Sequence, residues 1–163
     1  MTHSHHSFTH PSPLPRHRLP KWQRRTLYAS GAMLLSTGLI WLVLHYSIGA
    51  GAGELPHPLE AWLLRLHGLA AMAGIFLFGA LASSHVPQGW RLSHRWRLVA
   101  QQRTGVLLCC LAALLATSSY LLYYFASEDL RPFLGGIHAA IGVAMAGLLL
   151  WHGRARVLIS TPK

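Results

Sequence analysis

Four long apolar stretches, each without a charged side chain, dominate the pattern along the chain. They cover residues 26–53, 66–90, 104–127 and 132–153 and are 28, 25, 24 and 22 residues long. An α-helix needs about 20 apolar residues to cross the hydrocarbon core of a bilayer, which is roughly 30 Å thick. The pattern therefore predicts four membrane-spanning helices, at about residues 26–48, 59–85, 103–126 and 130–154.

The short connections between these stretches restrict how the helices can be arranged. Loops of this length make consecutive helices antiparallel neighbours. We predict an all-α fold, an integral membrane four-helix bundle in which up and down helices alternate and the second and fourth spans are diagonal partners. The bundle takes residues 25–154, between a disordered His- and Pro-rich tail at 1–24 and a short tail at 155–163. The segment 86–102 is predicted to be an inner loop.

The distribution of charge predicts the orientation of the bundle. Twelve of the 14 lysine and arginine residues precede the first span, separate the second from the third, or follow the fourth, and all four acidic residues lie at the other two loops. The positive-inside rule then places both termini in the cytoplasm. We expect a multi-pass membrane protein. The net charge of +10 is explained by this topology, without nucleic-acid binding.

Composition narrows the class of function. Charged residues make up 11% of the chain, against roughly 25% in soluble domains, which argues against a water-soluble enzyme. No segment outside the predicted spans is large enough for a substrate pocket. The composition therefore favours a subunit for electron transfer or membrane anchoring over a self-contained enzyme.

Histidines are the residues in the spans that can carry chemistry. Ionisable residues are rare in membrane helices and usually face the bundle interior. Five histidines lie within or at the ends of the predicted spans: His45, His67, His85, His138 and His152. Neutral imidazoles from two helices can serve as the axial ligands of a haem iron.

The spacing of these histidines predicts two ligand pairs. His138 and His152 are 14 residues apart, and His67 and His85 are 18 apart, so each helix carries its two histidines on one face. His67 and His138 both lie about 10 Å below the outer boundary and are predicted to bind one haem b. His85 and His152 are predicted to bind a second near the inner boundary, with helix tilt absorbing a depth mismatch of about 6 Å. A single haem is the alternative.

Two further residues at the outer end have more than one possible role. Arg65 lies two residues before His67, and its guanidinium either pairs with a haem propionate or extends to the lipid headgroups. His45 either ligates iron, hydrogen-bonds a propionate or contributes to quinone binding. The glycines next to the outer pair, Gly68, Gly135 and Gly136, permit the close approach of a macrocycle or of another helix.

Three motifs give the chain a likeness to a known group. They are Leu66-His67-Gly68, His85 followed by Val86-Pro87, and the pair His138 and His152 in the last span. In these motifs the chain resembles a set of small bacterial four-helix membrane proteins. Its four spans, with two histidines about four turns apart in the last one, resemble the di-haem cytochrome b membrane subunits of bacterial formate dehydrogenases and hydrogenases, and the resemblance covers about residues 26–154. The resemblance implies that the last span gives one ligand to each haem. It also implies electron transfer between quinone and a redox partner.

The first span departs from that group. Its better-known members have a ligand histidine at the cytoplasmic start of this span, a dozen residues before a Ser/Thr-Gly pair, where this chain has Arg25 twelve residues before Thr37. An inner haem would therefore depend on His85. The alternative function is a haem-free membrane anchor or scaffold subunit of a larger complex, in which the same histidines make interhelical hydrogen bonds.

Overall fold

The computed structural model describes residues 19–95 and 99–158 of the 163-residue chain. Over these ranges the chain forms four long helices and one short 3-10 helix, with no strand. The long helices are α1 (Lys21–Ile48), α2 (Pro58–Arg95), α3 (Val99–Tyr124) and α4 (Arg131–Leu158), and the 3-10 helix is Ala50–Ala52. Each long helix is apolar and long enough to cross a membrane. The all-α prediction is confirmed.

Proline and glycine set several helix ends. α1 begins directly after Pro20, so residues 21–24 of the predicted tail are helical, whereas residues 1–18 and 159–163 lie outside the described ranges. The turn after α1 ends at Gly53, whose φ of 85° is in the left-handed region that favours glycine. α2 opens on Pro58, a position where the missing N–H costs no helical hydrogen bond.

The second helix is longer than the span predicted for it. It continues through Pro87 to Arg95, although the sequence predicted an irregular loop over 86–102. A proline removes one hydrogen bond from the helical ladder and does not end the helix where the bonds on either side persist. The part of the predicted inner loop that lies outside the described residues is 96–98.

The four helices pack in a ring. α1 packs against α2 and α3 against α4 with the most extensive contact, while α2 packs against α3 and α1 against α4 over smaller areas. Within the described residues, the backbones of the diagonal partners, α2 with α4 and α1 with α3, make no close contact. The predicted diagonal placement of the second and fourth helices is therefore confirmed, and side chains alone bridge the space between them.

Few side chains are buried in the bundle, and most of those that are buried are polar. The described residues that are buried and apolar are Ala70, Leu77 and Ala126, whereas those that are buried and polar are Ser30, Thr37, Glu60, Ser93 and Ser118. Large apolar side chains point outward, and Phe76 and Tyr123 are each 80% exposed. This arrangement is expected of a bundle that is surrounded by lipid, because its polar groups must then find partners within the bundle.

Candidate functional site: a histidine pair across the bundle

The structure brings His67 of α2 and His138 of α4 together across the diagonal of the ring. Their ring centroids are 6.3 Å apart, and the ring planes are inclined by 65°. Both side chains are half-buried. These are the two residues that the sequence analysis placed at equal depth below the outer boundary, and no backbone contact accounts for their approach.

A hydroxyl on the neighbouring helix holds each of these imidazoles. The Nδ1 atom of His67 lies 3.0 Å from Oγ1 of Thr37 on α1, and Nδ1 of His138 lies 2.7 Å from Oγ of Ser118 on α3. Thr37 and Ser118 are themselves buried. His67 is therefore held by α1, the helix that packs most extensively on α2. His138 is held in the same way by α3, the helix that packs most extensively on α4.

The hydroxyls also bear on which ring nitrogen carries the proton. Oγ1 of Thr37 lies 2.6 Å from the carbonyl oxygen of Met33, and Oγ of Ser118 lies 3.1 Å from that of Leu115. A hydroxyl that donates its one hydrogen to the carbonyl accepts a hydrogen bond from the histidine. In that arrangement the rings are Nδ1–H tautomers, and each Nε2 keeps a lone pair for a ligand.

The separation of the two rings suits a single metal ion between them. Metal–imidazole bonds are about 2.0 Å long and the nitrogen lies about 1.2 Å from the ring centre, so two imidazoles bound to one iron have centroids about 6.3 Å apart. The observed centroid distance is 6.3 Å. Among the described residues, no group of three or more histidine, cysteine or acidic side chains could hold a metal ion. A haem iron needs only two protein ligands, because the macrocycle supplies the other four.

One glycine makes room for His67. A Cβ atom placed on Gly38 would lie 3.3 Å from Cε1 of the His67 ring, tighter than an ordinary van der Waals contact. The glycines that the sequence analysis singled out behave differently, since a Cβ on Gly68, Gly135 or Gly136 would meet nothing within 4 Å. The close approach at the site therefore depends on a glycine of α1 that the sequence analysis did not single out for this role.

The second histidine of α4 repeats the arrangement nearer the C-terminal end of that helix. Nδ1 of His152 lies 2.7 Å from Oγ1 of Thr104, and that hydroxyl donates to the carbonyl of Ala100 at 3.0 Å. His152 is thus held as the same tautomer as His138. The fourth predicted ligand, His85, is half-buried in the inner part of α2, two residues before Pro87.

His45 belongs to a separate cluster at the outer end of α1. Its Nδ1 donates to Oε2 of Glu60 at 2.9 Å, while the other carboxylate oxygen accepts from the backbone N–H of His57 at 3.1 Å. The Trp41 ring stacks on the imidazole, with centroids 4.5 Å apart and planes inclined by 15°. Glu60 is only 7% exposed, so this carboxylate is buried as part of an ion pair.

Arg65 does not share a face with the histidine pair. It lies two residues before His67, about 200° away around the helix, and its side chain is exposed. Its guanidinium carbon lies 4.9 Å from the ring centroid of Trp62 on the same helix. Of the two roles left open by the sequence, this position favours extension toward the headgroups.

The sequence analysis missed several residues that complete the site. Thr37, Ser118 and Thr104 were not singled out as partners, and Trp41 and Glu60 were not assigned to the His45 cluster. One signal could have found two of them: Thr104 and Ser118 are 14 residues apart, which matches the separation of His138 and His152. Because α3 and α4 carry their polar residues at the same spacing, both hydroxyl–histidine pairs can form at once.

Comparisons of the chain with protein-family models, with curated proteins and with solved structures find no match. The likeness to di-haem cytochrome b subunits therefore depends on the motif residues of the sequence. The chemistry of the site depends on the tautomers and distances given above.

Proposed function

We propose that the chain is a membrane b-type cytochrome in which His67 and His138 are the axial ligands of a haem b. In this role it transfers electrons between a quinone and a redox partner. The observation that carries the proposal is the approach of the two rings across the bundle, with 6.3 Å between their centroids. It is supported by the hydroxyl at each Nδ1, which leaves Nε2 available where that hydroxyl donates to the backbone.

The protein's own residues position the ligands and adjust their strength. Thr37 and Ser118 accept the Nδ1–H bonds, which fixes the orientation of each ring and makes its Nε2 more basic. Gly38 lets α1 lie close behind the His67 ring. When bound, the haem supplies one-electron exchange at its iron, and the apolar side chains around the site keep water away from it.

A second haem b is proposed at the inner end of the bundle, held by His85 and His152. His152 supports this because Thr104 holds it as the Nδ1–H tautomer, as Ser118 holds His138. Two haems stacked at the outer and inner halves would carry electrons across the membrane. One haem alone would limit the protein to exchange at its outer face.

The proposed topology is an antiparallel up-down bundle in the bacterial inner membrane, with both termini in the cytoplasm. Contacts between α1 and α2 support it: His45 meets Glu60, and earlier in α1 Thr37 meets His67. Contacts between α3 and α4 follow the same reversed order, from Ser118 with His138 to Thr104 with His152. Twelve of the 14 basic residues then lie on the cytoplasmic side.

A haem-free anchor or scaffold subunit is the second candidate. The same imidazole–hydroxyl hydrogen bonds favour it, because they join α1 to α2 and α3 to α4 as interhelical bonds do, at about 0.6 kcal/mol each. A scaffold, however, does not require His67 and His138 to face each other across the diagonal. Within the described residues no hydrogen bond joins these two rings.

Absorption spectroscopy separates the two candidates. The full chain is expressed with adequate haem supply, purified in detergent and reduced with dithionite. We expect a reducible b-type spectrum and a haem that acid-acetone extracts, since the sequence has no Cys-x-x-Cys-His attachment motif. A colourless preparation that is stable and monodisperse would instead identify the scaffold subunit.

A further inference from the structure

Trp41 of α1 carries a buried polar group that has no acceptor. Its indole Nε1 is out of contact with solvent, and no hydrogen-bond partner lies within reach. Buried donors are almost always paired, because a donor that is left unpaired keeps the full cost of its desolvation. An orphan of this kind calls for an explanation, for example a ligand that supplies the missing acceptor.

Trp41 lies between the histidine pair and the outer cluster. Thr37, Trp41 and His45 are spaced four residues apart, so they share the face of α1 that packs on α2. Thr37 at one end holds His67, and His45 at the other is bound to Glu60. Trp41 is one turn outward from Thr37, about 6 Å along the axis.

On α1 and α3, Trp41 is the one polar side chain among the positions one turn outward or inward of Thr37 and Ser118. The other residues at these positions are leucines, one isoleucine and one methionine. A macrocycle held by His67 and His138 between α2 and α4 would meet α1 on one side and α3 on the other. Its two carboxylates lie on one edge, several ångströms from the iron, and an apolar environment penalises them unless a donor is present.

The neighbouring carboxylate of Glu60 does not repel an anion placed here. Both of its oxygens are engaged, one by the imidazole of His45 and the other by the N–H of His57. These two hydrogen bonds stabilise the carboxylate of Glu60 within the outer cluster. The indole N–H remains as the donor.

We propose that Trp41 Nε1–H binds a haem carboxylate and so fixes the outer macrocycle with its propionate edge toward α1 and the outer surface. This inference rests on the proposed function, because it concerns a haem held by His67 and His138. The contact would determine which edge of the macrocycle faces α1 when His67 and His138 hold its iron.

A chemical double-mutant cycle tests it. The full-length chain, produced without haem, is loaded with haem b or with haem b dimethyl ester, whose carboxylates are masked. The variants are Trp41→Phe, which keeps an aromatic ring against His45, and Trp62→Phe as the matched control on the exposed side of α2. Release of each haem to excess apomyoglobin is timed. Replacement of Trp41 by benzothienylalanine, which keeps the shape of indole without its N–H, serves where Phe perturbs folding.

With haem b, we expect Trp41→Phe to release the cofactor about tenfold faster than wild type, as for a lost charge-assisted hydrogen bond. With the dimethyl ester the two should release equally, and Trp62→Phe should match wild type in both cases. Equal acceleration with both haems, or none with either, would overturn the carboxylate contact and leave the cytochrome assignment intact. A folded wild-type chain that takes up neither haem would overturn both.

Discussion

The hydroxyl of Thr37 lies 3.0 Å from Nδ1 of His67 and 2.6 Å from the carbonyl oxygen of Met33, so it accepts from the imidazole when it donates to the carbonyl. In that arrangement this one contact between α1 and α2 fixes the tautomer of a membrane-embedded histidine. The same relationship recurs between Ser118 and His138. Three predictions concern this pair and its surroundings, and two concern the rest of the bundle.

Removal of one ligand should affect one haem only. His138→Ala leaves the outer iron with a single protein ligand, so the outer haem should be lost or become high-spin. His152→Ala should remove only the inner haem and leave the outer spectrum unchanged. Pyridine haemochrome counts on wild type and both variants give the ratio. A wild type with one haem that His152→Ala retains would show that no inner site exists.

Thr37→Val should weaken the outer site without altering its shape. Valine has the volume of threonine but no acceptor, so His67 would lose its hydrogen bond with Thr37 and keep the one with the backbone of Leu34. Such losses behind a metal ligand typically reduce affinity by about 10- to 100-fold. Haem titration of the apoprotein measures the change, together with a rise in midpoint potential as Nε2 becomes less basic. Thr26→Val, at an exposed position in the same helix, is the control and should behave as wild type.

Gly38→Ala should displace the His67 ring. The added methyl group would lie 3.3 Å from Cε1, so the imidazole must move by a few tenths of an ångström. We expect a high-spin fraction in the absorption spectrum and faster haem loss. Gly79→Ala should keep the spectrum and stabilise the helix slightly, because a Cβ there meets nothing within 4 Å. Equal behaviour of the two variants would contradict a close approach at Gly38.

Glu60→Gln should lower stability rather than remove haem. The amide keeps the shape of the carboxylate but loses its charge, so the hydrogen bonds from His45 and from the N–H of His57 become weaker. A thermal melt in detergent should show a lower Tm with an unchanged haem count. The exposed acid Glu54 gives the comparison, since Glu54→Gln should leave the melt as it is.

Reporter fusions test the orientation. A fusion after Ser127 should be active as a periplasmic reporter, whereas fusions after Arg95 and after Lys163 should report the cytoplasm, because of the excess of basic residues on that side. A periplasmic C-terminal fusion would place the outer histidine pair at the opposite face of the membrane.

The helices and the outer histidine pair could be predicted from the sequence because both follow from position along the chain. Charge-free stretches define the apolar helices, and seven residues separate His67 from Glu60 and His138 from Arg131, which sets equal depth. The exposed position of Arg65 could also have been predicted, since two residues correspond to about 200° on a helix.

The partners of the histidines could not be predicted in the same way. Which hydroxyl faces His67 depends on how α1 is rotated about its own axis, and a helix that is apolar all round gives no periodicity from which to read that rotation. The continuation of α2 beyond Pro87 was missed for a different reason. A proline marks a weakened helical ladder, and whether the helix ends there depends on the bonds around it.

The pairing of the helices has a consequence for how the bundle holds together. Polar contacts tie α1 to α2 and α3 to α4, whereas these two hairpins contact each other through fewer residues. His67 belongs to one hairpin and His138 to the other. A cofactor bound by both would therefore fasten together the two halves of the protein where their direct contacts are few.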